Sequence, residues 1–167
     1  VIPLENTIGR YSRGNDDFSV LLKFPIGKTA DGAVEVLALN SETSQAHCMI
    51  AGMTGSGKSS LLQAIVLGAA YHYSPEEVEL YLIDLKDSST FDKASREYSK
   101  LKHVKMMCMN GTESDIVEFI DYIVRTKMTF GHDAPDIKTY NKTNKEKRAR
   151  IVIVIDEYTT IQDEKCI

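Results

Sequence analysis

A chain of 167 residues that is 43% hydrophobic holds enough apolar mass for one domain with a real core. No apolar run approaches the roughly 18 residues of a membrane-crossing helix, and the N-terminal VIPLENTIGRYSRG lacks the apolar stretch of a secretory signal. With a formal net charge of −4, any binding to nucleic acid has to rest on a local patch and not on the overall balance.

Residues 1–17 are polar, with scattered Gly and Asn, and read as a loose leading segment. FSVLLKF (18–24) reads as a strand, Asp31-Gly32 as a turn and AVEVLAL (33–39) as the hairpin partner, which defines a β-hairpin unit over 18–45. After the loop SETSQA, the apolar run HCMIA (47–51) is expected to be a strand that leads into MTGSGKSS. From Lys58 the pattern turns helical. Leu61, Leu62, Ile65, Val66, Ala69 and Ala70 recur at spacings of three and four, and the helix should end near His72-Tyr73.

VELYLID (78–84) is the next strand, and the polar stretch 86–102 gives no firm assignment. VKMMCM (104–109) reads as a short strand whose methionines serve the core and not a metal. Asn110-Gly111 closes it, and Thr112 with Asp115 resembles a capping box. The helix it opens carries an apolar stripe of Ile116, Phe119, Ile120, Ile123 and Val124, with Gly131 placed to terminate it. After a further polar segment, IVIVID (151–156) is the last strand. Strands apolar on both faces, alternating with helices, predict an α/β fold with a mainly parallel sheet sandwiched by helices.

Three cysteines, Cys48, Cys108 and Cys166, stand far apart without metal-ligand spacing, a pattern of reduced thiols in a cytoplasmic setting. Cys48 and Cys108 lie inside apolar runs, where a thiol is expected as a small core side chain.

GMTGSGKS (52–59) fits the pattern G-x-x-x-x-G-K-[ST] between a predicted strand and a predicted helix, the context such a loop needs. Backbone N–H groups at a helix N-terminus attract a polyphosphate, and Gly52, Gly55 and Gly57 allow the backbone to wrap it. Met53, Thr54, Ser56 and Ser60 complete the phosphate-binding segment. Lys58 supplies a mobile charge for the β- and γ-phosphates, and Ser59 offers a hydroxyl to Mg²⁺. ATP and Mg²⁺ are therefore the expected ligands. Paired with such a loop, Asp156 at the end of IVIVI is placed to hold the Mg²⁺, and Glu157 to activate water as general base.

Taken together, these segments resemble the RecA-like motor domain of the FtsK/SpoIIIE family, within the HerA/FtsK group of P-loop ATPases. The resemblance runs through HCMIAGMTGSGKSSLLQAIVLGAAYHYSPEEVELYLIDLKD, the segment DIKTYNKTN and the Walker B strand IVIVIDEY, and covers roughly residues 20 to 160. It implies that 46–167 form the N-terminal part of a RecA-like ATPase domain whose C-terminal strands are missing here, so that turnover by this stretch alone is expected to be weak or absent. It further implies a hexameric ring that pumps double-stranded DNA, with ATP sites between subunits and any membrane anchor upstream. Strand ends face the ligand crevice in such sheets, which would set Asp84 and Lys86 at its border, although a solvated loop start explains them equally well.

Members of the same family drive protein secretion, so a protein substrate, or an ATP-binding assembly module without turnover, are the alternatives. The most basic stretch is KTNKEKRAR (142–150), which reads either as a phosphate contact or as a solvated loop before a buried strand. IDLKDSSTF lacks the run of glycines associated with the secretion branch, which favours DNA.

Overall fold

The computed structural model describes residues 11–12, 14–85, 91, 95–130 and 134–156. Its first unit is an antiparallel hairpin of β1 (Leu21–Lys28) and β2 (Val34–Asn40). The first strand starts three positions later than the pattern predicts because Asp17 holds a turn. Its carbonyl accepts the N–H groups of Val20 and Leu21, each at 2.9 Å, and its side chain accepts that of Ser19.

Helix α1 (Lys58–His72) follows the glycine-rich loop and buries Leu62, Ile65, Val66 and Ala69, as the three-and-four spacing requires. Strand β3 (Val78–Asp84) is the centre of a three-stranded parallel sheet. It is flanked by β4 (Val104–Met109) and β5 (Arg150–Asp156) in the order β4-β3-β5. Alternation along the strands sorts the core into two layers. Leu80, Leu82, Val152 and Val154 pack under α1. Tyr81, Ile83, Ile151, Ile153 and Ile155 pack against Ile116, Phe119 and Ile123 of α3 (Glu113–Lys127), after a short α2 (Ser95–Tyr98). This is the α/β sandwich that the two-sided apolar strands predict. The capping box is present as read: Asp115 N–H donates to the Thr112 hydroxyl, and the Thr112 N–H to the Asp115 carboxylate at 2.7 Å.

Four expectations need correction. Residues 47–51 form no strand; they find no ladder partner among the described residues, and β propensity alone does not make a strand. Cys48 is accordingly exposed and not a core side chain, and Met49 beside it is 81% exposed. Val124 lies on the flank of the α3 stripe, about half exposed. The polar stretch before β5 contains a helix, α4 (Ile137–Thr143), capped by the Asp136 side chain, which accepts the Thr139 N–H at 2.7 Å. Cys108 is half-buried against the α3 layer, and burial pushes its thiol up from the ordinary value. Lys86, Gly131, Glu157 and Cys166 lie outside the described residues.

Candidate functional site

The loop before α1 is shaped by its glycines. Gly55 and Gly57 have φ of +81° and +95°, the left-handed region where a side chain strains the backbone. A Cβ on Gly52 would meet the Ser56 hydroxyl at 2.3 Å, so a side chain there would have to displace that hydroxyl. Its turn is fixed by the Ser56 N–H, which donates to the Met53 carbonyl at 3.0 Å. Met53, Thr54, Ser56, Ser59 and Ser60 are exposed. Gly57 gives the 15-residue helix no side-chain cap, and the first turn carries no acidic residue. A helix N-terminus left in this state favours an anion.

The sheet brings its own charge to that loop. The Nζ of Lys58 lies 2.9 Å from Oδ1 of Asp156, and the Asp156 side chain is only 4% exposed. Residues 98 apart in sequence thus meet through the β5 strand end and the start of α1, which places both predicted metal and phosphate residues in one spot. Asp84 ends the neighbouring strand in register with Asp156 and is fully buried, which excludes a solvated loop start. The uncapped helix, the lysine and the buried carboxylate suit a polyphosphate with a divalent cation: Lys58 and the loop N–H groups toward the phosphates, Ser59 and Asp156 toward the metal.

The basic stretch before β5 is largely consumed by the fold. Lys147 donates to the carbonyls of Asn141 and Asn144 at the end of α4. Arg148 donates to the Thr129 carbonyl at 2.8 Å and stacks over the Tyr140 and Phe130 rings. Arg150 donates to the Val20 carbonyl at 2.7 Å. Asn141, within the DIKTYNKTN segment, is buried and ties three elements: its amide donates to the Ser19 hydroxyl and the Arg148 carbonyl, and accepts the Arg148 N–H. A separate groove of about 350 Å³ lies between the hairpin and α4, lined by Ser41, Glu42, Asp136 and Lys138 among others and by no residue of the glycine-rich loop.

A glycine-rich loop whose lysine meets a carboxylate at the end of a parallel strand fits a P-loop ATPase domain of the RecA-like α/β type. A model of the FtsK/SpoIIIE family matches residues 11–126, and the chain belongs to that family. It is 31% identical over 147 residues to the DNA translocase FtsK of Treponema pallidum, covering 81% of this chain and 17% of that protein. It is also 26% identical over 163 residues to the type VII secretion system protein EssC of Staphylococcus aureus, covering 92% of this chain and 11% of that one. The solved cytoplasmic domain of the type VII secretion ATPase EccC from Thermomonospora curvata shares the fold with a TM-score of 0.65 and 26% identity, over 90% of this chain and 19% of that one. The chain thus spans less than a fifth of each of these relatives.

Proposed function

We propose that this domain binds ATP with Mg²⁺ and couples its hydrolysis to the translocation of double-stranded DNA, as one subunit of a homo-hexameric ring. The observation that carries the nucleotide part is the Lys58–Asp156 ion pair, which joins the phosphate lysine to the metal-facing carboxylate. Lys58 and the α1 N-terminus would hold the phosphates, and Ser59 and Asp156 would hold the Mg²⁺, which would neutralise the phosphate charge. Glu157, next to Asp156 in sequence, takes the proton of the attacking water. Glu157→Gln in the complete protein should retain bound ATP and lose hydrolysis; ordinary turnover by that variant overturns the general-base assignment.

DNA as the substrate is supported by the FtsK relatives, 31% and 28% identical over more than four-fifths of this chain, and by IDLKDSSTF without its run of glycines. A polypeptide substrate is the second reading. It is favoured by the fold match to EccC and by the hydrogen bonds that tie Lys147, Arg148 and Arg150 to carbonyls of the chain itself. The deciding experiment is ATP hydrolysis by the complete protein with and without long double-stranded DNA, at two salt concentrations. Stimulation that fades with salt supports the DNA motor. A rate indifferent to DNA rejects it in favour of the polypeptide reading.

A further inference from the structure

Two methionines stand in the open around the glycine-rich loop. Met49 is 81% exposed and Met53 86%, against 52% for Met128 and 36% for Met106. Met107 and Met109, which complete the six methionines of the chain, are partly buried against the core. A thioether in water adds nothing to the core, and it is the form most open to oxidants.

Met53 is also part of the loop's own geometry. Its carbonyl accepts the Ser56 N–H at 3.0 Å, a turn that closes just before Gly57, the N-cap of α1. The helix has no side-chain cap at that end. The turn thus folds the residue with the exposed thioether back toward the backbone donors that open the helix.

We propose that Met53 is a redox-sensitive modification site at which a peroxide lowers the affinity for nucleotide, an inference that rests on the nucleotide-binding reading above. The thioether sulfur attacks the O–O bond of hydrogen peroxide, takes one oxygen and gives up two electrons. The peroxide is reduced to water, and the side chain becomes methionine sulfoxide. A weak acceptor is thereby exchanged for a strongly polar S=O oxygen. That oxygen accepts from N–H groups at the start of α1, the donors that a polyphosphate uses, and nucleotide then has to displace it. The Met53 side chain lies in water, so its oxidation costs the fold no packing. Met49 precedes the Met53–Ser56 turn, and its oxidation leaves those donors to the nucleotide.

The test compares the full chain before and after hydrogen peroxide by mass-spectrometric peptide mapping, thermal unfolding and titration with a fluorescent ATP analogue in Mg²⁺. Met49 and Met53 should oxidise ahead of Met107 and Met109. The dissociation constant should rise by about threefold to tenfold, the worth of one hydrogen bond between neutral groups, at an unchanged melting temperature. Methionine sulfoxide reductases should restore it, which separates the effect from oxidation of the exposed Cys48 thiol. In Met53→Leu the constant should not respond to peroxide, whatever its starting value, whereas Met49→Leu should respond as the wild type does. A chain oxidised at Met53 that binds as before, or a Met53→Leu chain that still responds, overturns the proposal. A fall in melting temperature that accompanies the lost affinity assigns the effect to a packed methionine and also overturns it. If the untreated chain binds no nucleotide, the reading beneath the proposal falls with it, a result distinct from binding that peroxide leaves unchanged.

Discussion

Lys58→Ala removes the ammonium that lies 2.9 Å from the Asp156 carboxylate. Taking one partner from a buried ion pair costs about 3–5 kcal/mol, because the remaining charge stays desolvated. The Asp156 side chain is 4% exposed but that of Lys58 is 23% exposed, so water already screens part of the pair. A discounted figure of about 2–3 kcal/mol follows, or a fall in melting temperature of roughly 5–10 °C for a domain of this size. Asp156→Asn in the Lys58→Ala background should recover most of that loss, since an amide is cheaper to bury than a charge. The assay is thermal and urea unfolding of the four proteins of the double-mutant cycle, followed by circular dichroism without nucleotide. A coupling of at least about 1 kcal/mol is expected. Additive effects, or a Lys58→Ala chain that melts with the wild type, would show that the pair does not hold the empty site together. Nucleotide titration of the same variants separates the roles: Lys58→Ala should lose ATP binding whatever its stability.

Three other outcomes are open to direct measurement. Asn141→Leu breaks three hydrogen bonds and strands the Arg148 backbone, and should lower unfolding stability by about 2–4 kcal/mol in urea titration. If DNA binds this domain, Lys142→Ala and Lys145→Ala should flatten the salt dependence of binding by about one unit each. Lys147→Ala should instead lower stability and leave that slope unchanged, because its ammonium already serves carbonyls of α4. The carboxyl of Asp115 is held below its ordinary range by the Thr112 hydroxyl, and that of Asp136 by the Thr139 N–H. Both therefore stabilise the fold above the unfolded carboxylate range, and that contribution is lost as pH falls through their lowered values. Asp115→Asn and Asp136→Asn should be less stable than wild type at neutral pH, with the gap closing at a pH below the carboxylate range. A gap independent of pH contradicts the capping roles.

The glycine-rich loop, α1, the three parallel strands and the Thr112 cap were legible because each is set by local chemistry: a fixed φ, a periodicity, a side chain three residues from its N–H. What escaped depends on distant partners. The helix α4 shows only Ile137 and Tyr140 as apolar residues, and its polar Asn141 is buried because Ser19, 122 positions earlier, receives its amide. The signal that could have found it is Asp136 three residues before Thr139, the same cap logic already read at Thr112. HCMIA misled in the opposite direction, having the composition of a strand without a ladder in the described residues. The basic stretch counts five cations in sequence, but the count is blind to the carbonyls that claim three of them. Asp84 stayed ambiguous because burial of a strand-end carboxylate follows from the sheet order, which the sequence does not state.

The hairpin ahead of the loop has a structural reason to belong with the site. Its first strand grips α1: the Tyr73 hydroxyl accepts the Lys23 N–H at 2.7 Å, and Gly68 brings the helix close to Pro25. The turn leading into β1 grips the strand that carries Asp156 through Arg150 on the Val20 carbonyl, and α4 through Asn141 on Ser19. Both contacts lie at the ends of α1 and β5 remote from the loop. A helix and a central sheet strand transmit position along their length with little give, because each is fixed by its own backbone hydrogen bonds. The hairpin unit thus touches both elements that present Lys58 and Asp156. Changes at Tyr73 or Arg150 should therefore register at a site formed by other residues.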